Sequence, residues 1–487
     1  MKKQALKTFV CFFLLSAALA QNATDQLITE SLKPSSLDTN LEQLTDQIGG
    51  RIPGTQAMQR AVQWGVDAFK AAGADSVHTE NFTIPNSWAE GATQMTVVAP
   101  EQFSVRAISL AWAPALVPQQ KVRIVDLGAA NADDFAKAGD VSGAILLVHS
   151  EEMKTWEDLF SEYLRAPAII DRAVQAKALA IAFQSTRPHD LLYRHTNSLA
   201  GEIDRLPMVL LAREDAGRIA RLIASGQKLY ADLSIPNHIG GPIQATNVTA
   251  ELRGSEKPDE FVVLGAHLDS WELGTGALDN GCNAALVIDA LRAIKAAGLH
   301  PRRSIRFILF SGEEEGLLGS HAYVLSHRNE LDKAVGAVVF DSGSGKVTGF
   351  SVGGRKDIIL AATQLVDPLK QFGADSLTAD MQWGTDHFDF MLEGVPTFTA
   401  NQQEANYLIN YHASSDTFDK VDLEQLKKHV AESAALVFGL ANDPERIGPR
   451  LNRAQIQQNI KQTHFDQLMK AFGMWQDWQQ GRLGRAE

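Results

Sequence analysis

The sequence predicts an α/β fold: a mixed or mostly parallel sheet covered by helices, with a smaller α/β module inserted into it. Three observations carry this. From Thr246 to Asn442, apolar runs at 261–264, 305–310, 334–340 and 396–400 alternate with helical segments such as 283–297 and 423–441. Strands that are apolar on both faces are covered on both faces, as in parallel and mixed sheets. Between about 116 and 243 the runs become shorter and are bracketed by Pro114 and Pro118 at one end and Gly240-Gly241-Pro242 at the other. Such punctuation marks an insertion. Finally, 487 residues exceed the ~150 residues of an average domain.

Taken in order, residues 1–20 read as a secretory signal peptide. Lys2, Lys3 and Lys7 precede a short apolar run, and Ala18-Leu19-Ala20 supplies small residues for cleavage before Gln21. The mature chain is then expected to be secreted or periplasmic, with no membrane anchor. Residues 24–115 open the main domain, with a helical pattern at 57–72 and a strand at 76–84. Residues 116–243 form the insert, with strands at 122–127, 144–148, 180–183 and 208–211 and helices at 171–178 and 215–224. Residues 244–442 complete the main domain. The polar tail, 443–487, carries Ile456, Ile460, Phe465, Leu468, Met469, Phe472 and Trp475 at spacings that suggest one or two appended helices.

Composition excludes several classes. Forty-five Lys and Arg against 58 Asp and Glu give a net charge of −13, without the basic face a nucleic-acid binder needs. Cys11 and Cys282 are the two cysteines, so no disulfide scaffold exists. After leader removal Cys282 stands alone.

The chemistry-bearing residues sit where strands end. Gly265-Ala266-His267-Leu268-Asp269-Ser270 follows the run at 261–264, and ligands bind at that edge of open α/β sheets. Asp279 lies in a glycine-rich loop opening a helix. Glu313-Glu314-Glu315 follows the strand at 305–310, and three adjacent acids beside a buried strand call for counter-charge. Asp341 ends the next strand, and His412 stands in Tyr411-His412-Ala413-Ser414-Ser415-Asp416-Thr417. Two histidines with Asp279, Glu314 and Asp341 make a ligand set for two dications, zinc first.

Together these stretches resemble the co-catalytic di-zinc aminopeptidase/carboxypeptidase family, and 116–243 resembles the protease-associated domain. The likeness spans about residues 40–440 and includes Asp46-Gln47-Ile48-Gly49-Gly50-Arg51 and Gly384-Thr385-Asp386. It implies a three-layer mixed-sheet zinc exopeptidase domain with a discontinuous sequence. It implies two Zn²⁺ per chain: His267 and Asp341 on one, Glu314 and His412 on the other, Asp279 bridging. By position Glu313 matches the general acid/base and Asp269 the residue orienting His267; Glu315 has no assigned role. Tyr411, Asp386, His387 and Arg51 are candidates for substrate or transition-state contacts, Arg51 for a carboxylate and Asp386 for a free α-amine. The implied substrates are short peptides or dipeptides, hydrolysed in the manner of a carboxypeptidase. The alternatives are an aminopeptidase of the same family and a glutaminyl-cyclase-type acyltransferase. A homodimer is compatible with the resemblance.

Overall fold

The computed structural model describes residues 23–486; the expected leader, 1–20, lies outside them. The main sheet has eight strands, in the order Ser76–Ile84, Ile243–Leu252, Arg303–Phe310, Lys257–His267, Ala334–Val339, Thr397–Gln402, Val347–Ser351 and Ser376–Thr378. Its centre is parallel: Lys257–His267 pairs with Arg303–Phe310 on one side and Ala334–Val339 on the other. The edges include antiparallel pairs, so the sheet is mixed. The central strands are buried along nearly their whole apolar length, which is why they read as continuous hydrophobic runs.

Helix Cys282–Ala296 is buried on almost every face. It packs against the sheet and against helices Gln56–Ala72 and Leu423–Asn442, so its small residues Ala284, Ala285, Ala290 and Ala293 allow close approach. The outer helices are capped locally. Thr55 accepts the Met58 N–H and Asp422 the Gln425 N–H, each satisfying an end-of-helix donor. Gln56–Ala72 stops at Gly73, whose φ of 92° suits glycine alone.

The chain leaves the main sheet and returns to it side by side, with Ile84 opposite Ile243. Between these points lies a second eight-stranded sheet, ordered Phe103–Val105, Gln94–Ala99, Tyr230–Ile235, Leu116–Asp126, Ile145–Val148, Ala180–Gln184, Met208–Leu211 and Ala107–Ser109. It therefore starts at Gln94, ahead of the expected boundary near 116. The reason is non-local: Gln94–Ala99 pairs antiparallel with Tyr230–Ile235, placing Met95 against Leu233, and both are buried in one apolar cluster. The helix expected at 171–178 is longer and earlier. It runs Trp156–Gln175 through Pro167, nucleated by a reciprocal Thr155/Asp158 capping box. The tail folds into three short helices, Arg453–Gln462, Phe465–Ala471 and Met474–Gln479. Their apolar residues join Leu317, Phe388 and Met391 of the main domain in a common cluster.

Candidate metal centre

The strand ends bring the five candidate ligands together. His267 closes its strand with Nε2 2.9 Å from Asp341 Oδ1 and 3.2 Å from Asp279 Oδ1. His412 Nε2 lies 2.8 Å from Glu314 Oε2 and 3.3 Å from Asp279 Oδ2. Asp279 thus turns one oxygen to each histidine. Donor atoms of His267, Asp279 and Glu314 all fall within 4.8 Å of one another, as do those of His267, Glu313 and Asp341. Two clusters sharing His267 make a site for two adjacent cations.

The chemistry of the set fits that reading. Four carboxylates and two imidazoles converge in a largely buried space, and such a concentration of acid is stable only beside compensating positive charge. Burial pushes Asp341 up to about 7 and Glu313 well above the usual carboxylate range. Burial alone would depress His412, but the carboxylates of Glu314 and Asp279 outweigh it and raise the ring to about 9. Glu314 Oε1 has no hydrogen-bond partner in the protein, leaving it available to a metal ion.

Supporting contacts set the orientations. His267 Nδ1 is 3.0 Å from the main-chain oxygen of Asp269, so Nδ1–H donates there and Nε2 faces the acids. Asp269, the residue expected to orient His267, does so through this carbonyl, not its carboxylate. That group stands farther from Nδ1, at 3.8 Å, and instead accepts the Glu314 N–H at 3.2 Å. Asp269 touches both halves of the site, through its main chain and its side chain. Glu315, to which no role was assigned, is buried, and burial raises its carboxyl well above the ordinary range.

Three candidates for substrate contact are placed differently from expectation. Arg51 is fully buried, and its guanidinium donates to the carbonyls of Gly49, Leu268, Thr275 and Gly276 at 2.6–3.0 Å. It ties the loop after His267 to the loop before Asp279 and is not presented to a ligand. Asp386 and His387 are likewise buried and are absent from the cavity lining, which their neighbours Gly384 and Thr385 join. Burial lowers His387 to about 4, and its Nδ1 lies 2.6 Å from the Thr385 hydroxyl. Tyr411 is the exception. It lines the cavity and stacks on the His412 ring, with centroids 3.6 Å apart.

Sequence reasoning missed Asp416. Its Oδ1 accepts the N–H groups of Ala277 and Leu278 at 3.1 and 2.7 Å, and its Oδ2 that of Asp279 at 3.1 Å. The available signal was an acid four residues after His412.

A cavity of about 1020 Å³ opens on the metal site. Glu313, Asp341 and Tyr411 line its inner end. Trp156, Phe160 and Tyr163 of the long helix Trp156–Gln175 form one wall, and Leu468 and residues 470–473 of the tail another. Trp383 packs on Phe472 with ring centroids 4.1 Å apart, joining the tail to the main domain at the rim.

A buried two-cation site at the carboxyl ends of a central parallel sheet, opening on a large cavity, defines the chain as a zinc-dependent metallopeptidase. Residues 247–437 match the model of peptidase family M28, and the two-cation centre lies within them. The chain is 25% identical over 409 residues to carboxypeptidase Q of Rattus norvegicus, covering 84% of this chain and 85% of the relative. It superposes on the crystal structure of a peptidase M28 precursor from Shewanella amazonensis SB2B with a TM-score of 0.79 and 26% identity, covering 89% and 99% of the two chains. The zinc aminopeptidase BSAP from Bacillus subtilis shares the fold, with a TM-score of 0.65, 20% identity and 86% and 97% coverage.

Proposed function

We propose that the protein is an exopeptidase acting on short peptides that enter with their free amino end at the metal site. The observation that carries this is the use of cations. Arg51, the candidate for a substrate carboxylate, is spent on four backbone carbonyls. Among the described residues lining the cavity, the Arg and Lys side chains are Arg205 and Lys470, both about half exposed and already paired with Asp171 and Asp466. With the acids of the inner end matched by metal ions, a terminal carboxylate would find no Arg or Lys partner there. Aromatic walls and a volume near the upper range of small-ligand pockets favour a few residues of extended peptide over folded protein.

In this reading His267 and Asp341 would hold one zinc, Glu314 and His412 the other, with Asp279 shared between them. When bound, the metal would supply Lewis-acid polarisation of a peptide carbonyl and a lowered water pKa. Glu313, adjacent to a ligand and at the cavity wall, takes the proton of the attacking water and delivers it to the leaving amine. The Tyr411 hydroxyl donates to the carbonyl oxygen as negative charge develops there. We assign the second lobe, which sits between side-by-side connections, as a protease-associated domain, and residues 1–20 as a signal for export.

A carboxypeptidase Q-like activity is the second reading, favoured by sequence similarity spread over 84% of the chain. Capped peptides separate the two. Turnover of Ala-Ala-amide, with none of acetyl-Ala-Ala, is expected, and so is loss of all turnover with a chelator. Cleavage of the acetylated peptide and rejection of the amide would establish the second reading.

A further inference from the structure

The second lobe reaches the metal site itself. The Arg194 N–H donates to the His412 carbonyl at 2.9 Å, and the Ser414 N–H to the Leu192 carbonyl at 3.0 Å. Tyr193 and Ala413 form an antiparallel bridge between these contacts. Arg187 Nη2 donates to the Tyr411 carbonyl at 3.0 Å, while its guanidinium lies over the Tyr193 ring at 3.8 Å and within 3.5 Å of Glu162. This seam holds the 411–414 loop in a set shape. His412 itself has φ 59°, a left-handed conformation that a non-glycine residue keeps only when its surroundings enforce it.

At the head of the seam the Tyr163 and Tyr411 hydroxyls are 3.1 Å apart, and both side chains line the cavity. Only one of the two can donate to the other. If Tyr411 donated, its single proton would be spent and it would offer a lone pair to an oxygen gaining negative charge. We propose that Tyr163 is a positioning residue for the reaction: its O–H donates to Tyr411 Oη, so that the Tyr411 proton points to the peptide carbonyl oxygen. No proton leaves either tyrosine. Donation into Oη polarises the Tyr411 O–H and strengthens the hydrogen bond it makes in turn. The inference rests on the role given to Tyr411 above, and it makes the second lobe part of the catalytic apparatus.

Tyr163→Phe, Tyr411→Phe and the double variant test this, because the phenyl rings keep their packing. Four quantities are read: kcat and KM on a dipeptide, zinc per chain, and Kd for a phosphinic dipeptide whose tetrahedral phosphorus oxygen mimics the reacting carbonyl. Tyr163→Phe is expected to lower kcat by about five- to tenfold, to weaken phosphinate binding by a similar factor, and to leave KM and zinc content unchanged. The double variant should then be no slower than Tyr411→Phe alone, since Tyr163 acts through Tyr411. Losses that multiply in the double variant, or a silent Tyr163→Phe beside an impaired Tyr411→Phe, would overturn the relay and leave the role of Tyr411 intact. Full activity in Tyr411→Phe would overturn both.

Discussion

Asp416 accepts the backbone N–H of Asp279 on its Oδ2 at 3.1 Å. With the Ala277 and Leu278 N–H groups on the other oxygen, one buried carboxylate shapes the loop that delivers the shared acid. Asp416→Ala should therefore loosen zinc binding although Asp416 is not in the ligand set. A drop of about 10- to 100-fold in affinity is expected, read as zinc retained against a competing chelator. Wild-type retention would show that the loop holds its shape unaided.

Glu313 and Asp279 should separate chemistry from metal binding. Glu313→Gln is expected to keep two zinc ions per chain while kcat falls at least about 100-fold. Asp279→Asn should lose zinc, because a neutral amide compensates two cations poorly. Metal analysis beside single-turnover rates distinguishes them, and a fully active, zinc-replete Glu313→Gln enzyme would remove Glu313 from the proton shuttle.

Arg51 is expected to act on stability and metal loops, not on substrate affinity. Arg51→Met strips the partners from four carbonyls, each costing on the order of 1 kcal/mol or more when left unpaired, so Tm should fall by several degrees. KM for peptides with a free carboxylate should move no more than KM for their amides. A selective rise for the free acids would return Arg51 to substrate binding.

The pH dependence of stability should show two opposed slopes from one helix. Burial lowers His429 to about 4, against about 6.5 in an unfolded chain. The unfolded state then binds more protons between pH 4 and 6.5. Stability from this group is full above 6.5 and is lost as pH falls through that window, by about 3 kcal/mol. Burial raises Glu432 to about 8, so its contribution is full below about 4.5 and is lost as pH rises towards 8. Glu432→Gln is thus expected to raise Tm more at pH 8.5 than at pH 5. Equal shifts at both values would contradict the buried titration.

How much of this was legible in sequence depended on how local each cause is. The continuous runs of the central strands and the residues just past their ends could be read directly, because burial on both faces and chain direction leave a local pattern. His267, Glu313, Glu314 and Asp341 stand out for that reason, while Asp279 and His412 lie away from the strand ends and are marked by the glycine-rich segment and the resemblance. Tertiary structure alone decided that Arg51 spans two loops over two hundred residues away, that Asp416 cradles the Asp279 loop, and that Asp386 and His387 are buried outside the cavity lining. It also drew Gln94–Ala99 into the second sheet and set the tail against Trp383. These outcomes depend on which surfaces meet once the sheets have formed. A hydrogen-bond donor's destination is fixed by the nearest unpaired acceptor in space, and the order of residues along the chain does not encode that distance.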